Sequence, residues 1–211
     1  MLEKLFDADN AVYRIINRIA DLIVLNLLFL CTCIPIVTIG PALTALYSVA
    51  MQLWEKEREG VIKQYFSAFK QNLRQGILLW LISLMTGAVC GSVLLLGIIQ
   101  WKAGGQSVGV VLIICGVILL QIYLTMFVYI WPLQAKFENQ VAKTLKNALA
   151  MGISHIPSTI GVWILFIIIA AIACFADGTG VSVVLIDISL GAYLQSRIFL
   201  HVVKPYLDIQ D

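Results

Sequence analysis

The sequence predicts an all-α membrane protein, a polytopic bundle of helices that crosses a lipid bilayer. Of its 211 residues, 61% are hydrophobic and only 12% are charged, whereas a soluble domain is closer to half apolar and a quarter charged. The apolar residues also fall into runs of roughly 20, the length that spans a hydrocarbon core of about 30 Å. We therefore expect residues 1–211 to form a single membrane domain.

Residues 2–19 are predicted to form an amphipathic helix that lies along the membrane surface before the chain turns in. Leu5, Val12 and Ile15 recur near helical spacing, and charged residues occupy the other sides of the same helix. No small-residue cleavage site follows the first apolar run, so this run is expected to remain in the protein as an anchor.

Six apolar segments follow the amphipathic helix. They are predicted at 20–39, 41–54, 76–100, 106–132, 157–176 and 181–200. A helix break is predicted at Thr38, Gly40 and Pro41, because Gly ends helices and Pro suits the first turn of a new one. The second segment is short for a full crossing, at about 20 Å.

The basic residues favour six crossings over five. The polar stretches 55–75 and 134–156 are rich in Lys and Arg, which favour the cytoplasmic side near helix ends. If 41–54 crosses back, all of the 14 basic residues except Lys102 lie on one side; with five crossings, four lie on the less basic side. We therefore expect six segments, cytoplasmic polar stretches and cytoplasmic N- and C-termini, with five crossings as the alternative.

Small residues recur at four-residue spacing in the two central segments. They are Ser83, Gly87 and Gly91 on the third segment, and Gly105 and Gly109 at the start of the fourth. This spacing lets helix backbones approach closely in lipid. The pattern predicts helix packing, either within one chain or across the interface of a homo-oligomer.

Polar side chains within the apolar segments form two stripes. Gln121, Thr125 and Tyr129 share one face of the fourth segment, and Asp187 and Gln195 share one face of the sixth. Ionisable groups in hydrocarbon usually face a bundle interior or a water-filled cavity. One hypothesis is a polar cavity between segments four and six, with Asp187 as a proton or cation site or a hydrogen-bond acceptor. The alternative is that Asp187 bonds a neighbouring helix or reaches interfacial water.

The remaining polar features predict structural roles. Asn26, a lone amide in the first segment, is expected to make an interhelical hydrogen bond. The chain has no phosphate-binding loop, dinucleotide fingerprint, zinc helix or serine elbow, so we expect no enzyme activity, metal or cofactor. The five cysteines are expected to be small buried thiols. A net charge of only +2 argues against a nucleic-acid partner.

Three blocks of the sequence resemble a known family. They are the stretches 21–23, 25–29, 35–42 and 44–47 in the first block, 66–76 in the second, and 144–149 with Pro157 beyond it in the third. In these blocks the chain resembles the YesL family, small bacterial membrane proteins of uncharacterised function. The resemblance implies a bacterial plasma-membrane protein with a link to carbohydrate uptake.

The resemblance and the polar stripes together leave two functional hypotheses. The first is an accessory or regulatory component of a carbohydrate transport system, with 55–75 and 134–156 as docking surfaces. The second is a small transporter that uses the cavity between segments four and six. The expected partners are the lipid bilayer, subunits of a carbohydrate ABC transporter and a second copy of the chain.

Overall fold

The structure is a computed structural model that describes residues 11–55, 60–137, 140–176 and 186–207. Every regular element in these ranges is a helix. The α-helices are α1 Ala11–Thr32, α2 Ile39–Glu55, α3 Val61–Gln71, α4 Leu73–Lys102, α5 Gln106–Lys136, α6 Val141–Ser154, α7 Ile156–Ala176 and α8 Ile188–Leu207. A short 3₁₀ turn, Ile36–Thr38, lies between α1 and α2.

Four stretches are long and apolar enough to cross a membrane: Ile15–Thr32, Ile36–Trp54, Leu73–Lys102 and Gln106–Lys136. Helices α6 and α7 pass the same test together, but they meet at an angle of 94° and form at most one further span. The chain is therefore a multi-pass helical membrane protein with four or five candidate spans in its described part. The expected count of six is not reached there.

The first helix differs from the expectation at both ends. Residues 2–10 of the predicted amphipathic helix lie outside the described residues, and residues 11–19 continue into the first segment as part of α1. At its other end α1 stops at Thr32 rather than at residue 39. Pro35 explains the early stop, because a proline disfavours helical backbone in the residue before it and has no N–H to donate.

The helix break predicted at Thr38, Gly40 and Pro41 is therefore corrected to the turn after Thr32. The Thr38 hydroxyl stabilises that turn: it lies 2.6 Å from the carbonyl oxygen of Thr32 and 2.7 Å from that of Pro35. Gly40 and Pro41 belong to the first turn of α2, which begins at Ile39.

Gly40 has a packing role instead. A Cβ atom at Gly40 would overlap the carbonyl oxygen of Gly76, and one at Gly76 would lie 2.7 Å from the nitrogen of Pro41. The start of α2 is thus in backbone contact with the start of α4. A close approach of this kind requires glycine on both helices.

This contact bears directly on the topology. Helix α3 brings the chain back from Glu55, and Tyr65 on α3 shares a hydrogen bond of 2.6 Å with Thr32 at the end of α1. Helix α2 therefore begins, and α3 ends, at the same level of the molecule. The expected arrangement of six segments separates Gly40 from Gly76 by the length of 41–54, so this contact does not match it, and six segments are not confirmed.

Helices α4 and α5 form a long antiparallel hairpin whose outer surface is apolar. Two of the glycines predicted to pack lie where the helices touch: a Cβ at Gly109 would meet the backbone of Trp101 at 2.6 Å, and one at Gly87 would meet the Tyr123 ring at 3.0 Å. Gly91, by contrast, has nothing within 4 Å of such an atom.

The two other small residues predicted to pack lie far apart, Ser83 within α4 and Gly105 at the turn of the hairpin. Ser83 is fully buried on α4, and Gly105 forms the turn into α5, beside the carbonyl of Gln100.

The last helices are placed differently from the expected fifth and sixth segments. Helix α7 matches the predicted segment 157–176 closely, but it leaves α6 at nearly a right angle. Residues 181–185 lie outside the described residues, and α8 begins at Ile188 beside the middle of α1. Helix α8 then continues to Leu207, seven residues past the expected end.

Candidate functional site

Asn26 caps the start of α8 from the middle of α1. Its side-chain oxygen accepts a hydrogen bond of 3.1 Å from the backbone N–H of Ser189, and both residues are fully buried. The Ser189 hydroxyl donates in turn to the carbonyl of Leu22, at 2.7 Å. The first N–H groups of a helix have no partner within the helix, so an amide from another helix satisfies one of them.

Asp187 lies immediately before this cap and is half-buried. Its Oδ2 atom is enclosed and has no hydrogen-bond partner in the structure. The carboxylate sits at the N-terminal end of α8, where the helix dipole favours negative charge. This position gives Asp187 an electrostatic role at the start of the helix.

Gln195 joins three helices at one buried point. Its side-chain oxygen accepts a short hydrogen bond of 2.5 Å from the Tyr47 hydroxyl on α2. Its side-chain nitrogen donates to the carbonyl of Val128 on α5, at 2.8 Å. That carbonyl would normally accept from residue 132, but Pro132 has no N–H. Gln195 therefore supplies the hydrogen bond that the proline removes.

Tyr129 holds α5 against the bend between α6 and α7. Its hydroxyl lies 3.1 Å from the Thr159 hydroxyl, and both side chains are buried. The Thr159 hydroxyl is also close to the carbonyl oxygens of Gly152, at 3.2 Å, and His155, at 3.1 Å. The His155 carbonyl also accepts the backbone N–H of Thr159, at 3.0 Å, so Thr159 links the end of α6 to the start of α7.

The other two residues of this stripe, Gln121 and Thr125, line an open groove of about 240 Å³ between α5, α6 and α7. The remaining lining residues are mostly apolar: Ile122, Leu149, Gly152, Ile153, Ile156, Thr159, Ile160 and Trp163. The stripe on α5 thus faces the fifth predicted segment. Gln195, on the sixth predicted segment, does not line this groove and is engaged with Tyr47 and Val128. The expected cavity between segments four and six stays a hypothesis.

A partly buried polar cluster, which we call the polar junction, was not anticipated from the sequence. It consists of Asn72, Gln75, Gln134 and Thr144. The Gln134 amide donates to Gln75 at 2.7 Å and to Asn72 at 3.2 Å, and its oxygen accepts from the Thr144 hydroxyl at 3.1 Å. Every hydrogen-bonding atom of the Gln134 amide is thereby used.

The polar junction unites sequence blocks that are far apart in the chain. Asn72 and Gln75 belong to block 66–76, and Thr144 belongs to block 144–149. Gly76, the last residue of the former, packs against Pro41 of the first block. The three blocks that carry the family resemblance therefore meet at one place. Polar residues at the end of α5 were the available signal, since Gln134 follows an apolar run directly.

Two groups at the end of α1 stay neutral. Burial raises the pKa of the Tyr65 phenol well above its ordinary value, and burial raises the pKa of the Cys33 thiol to about 11. Within the described residues, no three His, Cys, Asp or Glu side chains lie close enough to hold a metal ion.

A second cluster that the sequence did not indicate lies near the start of α1 and the end of α2. The rings of Trp54 and Tyr193 are stacked, with centroids 4.2 Å apart and planes 8° from parallel. The Arg18 guanidinium lies 5.8 Å from the Tyr193 ring, and the Arg197 guanidinium lies 4.8 Å from the Trp54 ring. We call these four residues the arginine–aromatic stack.

The comparisons with known proteins give one finding. Residues 22–92 match a family model. Its description is "Protein of unknown function, DUF624", and the match covers about a third of the chain. It includes Asn26, Tyr47 and the Gly40–Gly76 contact, so three of the structural features above lie in the part that is similar to this family. Neither the curated proteins nor the solved structures gave a match.

Proposed function

We propose that the chain is a non-enzymatic accessory protein of the bacterial plasma membrane, which docks a membrane helix of a carbohydrate-uptake system in the groove between α5, α6 and α7. The carbohydrate link rests on the resemblance of the three sequence blocks. The docking role rests on the groove and on one side chain in it, Gln121.

Gln121 is the observation that carries the proposal. It lies at the midpoint of α5, a candidate span, and its side chain is exposed. Its exposed neighbours Val117, Ile118 and Ile122 are all apolar. An amide that faces hydrocarbon without a partner is costly. A polar group on a second helix removes that cost, which is how polar residues hold membrane helices together.

The groove beside Gln121 fits the side chains of such a helix. Its walls are mostly apolar branched side chains. The groove is narrow where α5 and α6 meet: these helices are so close that a Cβ at Gly152 would lie 2.5 Å from the Thr125 methyl group. Leu149, Gly152 and Ile153 belong to the stretch 134–156, one of the two expected docking surfaces. A volume of about 240 Å³ accommodates side chains of one helix face rather than a whole helix.

The proposed orientation places both termini in the cytoplasm. Arg18 near the start of the chain and Arg197 near its end belong to the same stack, which supports a common face for α1's first turns and α8. Several other basic residues, such as Lys56, Arg58 and Lys204, are close in sequence to that face. Lys and Arg near helix ends favour the cytoplasmic side.

Site-specific photo-crosslinking in the native membrane tests the docking role. A photoreactive residue replaces Ile153 in the groove, and in a matched control it replaces Val89, an exposed apolar residue on α4. We expect Ile153 to crosslink to a permease subunit of a carbohydrate transporter and Val89 to crosslink to lipid. Equal crosslinking from both positions, or lipid adducts alone from Ile153, would contradict the proposal.

A substitution then tests the role of the amide. Gln121→Leu should reduce the Ile153 crosslink about tenfold, since a lost hydrogen bond in lipid is worth roughly 1–2 kcal/mol. Gln100→Leu is the control, because Gln100 is also exposed but lies at the end of α4, away from the groove. If Gln121→Leu leaves the crosslink yield unchanged, Gln121 is not part of the interface.

A further inference from the structure

We propose that a basic surface around the polar junction binds the headgroups of anionic phospholipids. Four exposed cations surround the junction: Lys70 on α3, Arg74 on α4, and Lys143 and Lys146 on α6. We call these four residues the basic rim. None of them lines the groove between α5, α6 and α7, so this binding does not depend on the docking role proposed there.

The polar junction holds the two halves of the basic rim side by side. The Gln134 amide donates to Gln75, the residue after Arg74, at 2.7 Å. Its oxygen accepts from Thr144, the residue after Lys143, at 3.1 Å. Stretches that are far apart in the chain thus present their cations in a fixed arrangement. A ligand that binds there has little backbone left to order, which lowers the cost of binding.

Within each half, two cations lie about one helical turn apart. The backbone N–H groups of Asn72 and Gly76 each bond the carbonyl four residues earlier, so the helical pattern continues from α3 into α4 and makes Lys70 and Arg74 neighbours. The two lysines of α6 are three residues apart within that helix. Residues at these spacings have Cβ atoms roughly 5–6 Å apart. Each pair of long side chains can therefore contact a single headgroup.

The charge of this region calls for an anion from outside the chain. From residue 60 to residue 176 the sequence has seven basic residues and one acidic residue, Glu138. Helices α3 to α6 contain no Asp or Glu. Cations that lie close together without counter-charges repel one another, and a bound anion relieves that repulsion. The basic rim therefore favours a negatively charged ligand.

The position of the basic rim favours a lipid as that ligand. The candidate span Leu73–Lys102 begins between Lys70 and Arg74, so these two cations lie at the end of a membrane helix. Two exposed apolar side chains lie near them in sequence, Phe66 and Leu73. Basic residues interleaved with exposed apolar ones are typical of surfaces in the headgroup layer of anionic membranes. The cations bind phosphate, and the apolar side chains contact the upper acyl chains.

Native mass spectrometry of the purified full-length protein tests the basic rim. The protein is titrated with dioleoyl phosphatidylglycerol and, separately, with dioleoyl phosphatidylcholine, and bound lipid is counted. We expect the wild type to retain the anionic lipid preferentially. The double variants Lys70→Gln, Arg74→Gln and Lys143→Gln, Lys146→Gln should each lose about tenfold in affinity for it, because every cation at a membrane surface contributes to the attraction.

The matched control is Lys102→Gln, an exposed cation at the opposite end of α4, which should bind like the wild type. All four side chains of the basic rim are exposed, so their substitution should leave the fold intact, and circular dichroism checks this. High salt should weaken the preference for the anionic lipid in the wild type, since exposed charges are screened. An unchanged preference in both double variants, or at high salt, would overturn the proposal.

Photo-crosslinking in the native membrane distinguishes a lipid from an acidic protein segment. A photoreactive residue replaces Gln71, which is exposed and adjacent to Lys70. We expect lipid adducts at this position, and fewer of them from phosphatidylglycerol in the Lys70→Gln, Arg74→Gln variant. A protein adduct that is lost in the same variant would overturn the proposal and assign the basic rim to an acidic partner.

Discussion

The side-chain amide of Gln195 on α8 donates to the carbonyl oxygen of Val128 on α5, 2.8 Å away. This is the carbonyl that Pro132 leaves without its helical partner. In hydrocarbon such a group cannot turn to water, so a proline in a membrane helix requires a donor from elsewhere in the fold. Here the donor comes from a residue 67 positions further along the chain.

This pairing makes a double-mutant prediction. Gln195→Leu should lower the free energy of unfolding by about 1–3 kcal/mol, because it leaves the Val128 carbonyl and the Tyr47 hydroxyl without partners. In a Pro132→Ala background the cost should be smaller, since the alanine supplies the backbone N–H that restores the helical bond to Val128. Unfolding in mixed detergent micelles measures both values. Equal costs in the two backgrounds would disprove the coupling.

The glycines of α2 and α4 make a second prediction. Gly40→Ala should destabilise the protein by about 1–3 kcal/mol, because the new methyl group overlaps the Gly76 carbonyl and the helices must separate. Gly91→Ala is the matched control: nothing lies within 4 Å of its Cβ, so the substitution should be neutral or stabilise the helix by up to about 1 kcal/mol. The same unfolding measurement applies. Equal effects at both positions would contradict the close contact.

Composition and hydropathy were enough to predict the helical membrane fold and the positions of α4, α5 and α7. They could not predict the level at which each helix begins and ends relative to the others. The six-segment topology followed from the spacing of basic residues, but the Gly40–Gly76 contact places two predicted opposite faces together. Counting basic residues shows which charges flank each apolar segment. It does not show that α3 brings the chain back to the level at which α2 begins.

The sequence was enough to predict which polar residues share a helix face. It was not enough to predict which residues on other helices they contact. Helical spacing placed Gln121, Thr125 and Tyr129 on one face, which depends only on local geometry. Which helix that face meets depends on the 94° bend after α6, and this bend has no periodic signal. The arginine–aromatic stack was missed for a similar reason, since Arg18 and Arg197 are at opposite ends of the chain.

Labelling from the two sides of a sealed membrane tests the topology. In a background without native cysteines, single cysteines replace Ile34, Lys70 and Lys102, all of which are exposed. Ile34 and Lys70 should label from the same side, since the starts of α2 and α4 are in contact. Lys102 should label from the other side, because the span Leu73–Lys102 separates it from Lys70. Opposite labelling of Ile34 and Lys70 would restore the six-segment topology.

Hydrogen exchange tests the cap on α8. Asn26→Leu removes the acceptor for the Ser189 N–H, so the first turn of α8 should exchange about tenfold faster and stability should fall by about 1–2 kcal/mol. Asn17→Leu on the same helix is the control and should leave exchange in α8 unchanged. If exchange at Ser189 is equally slow in both variants, the amide does not cap the helix.

The bond between Gln195 and Val128 also affects how the protein is made. During synthesis α5 enters the bilayer while the residues of α8 are still untranslated, so a nascent bundle carries an unpaired peptide carbonyl at Val128. It also lacks the helix that Asn26 caps. Both hydrogen bonds form only after α8 has been synthesised and has packed against α1 and α5. A chain truncated before Gln195 keeps a backbone carbonyl in the membrane without its hydrogen bond, which costs free energy in hydrocarbon.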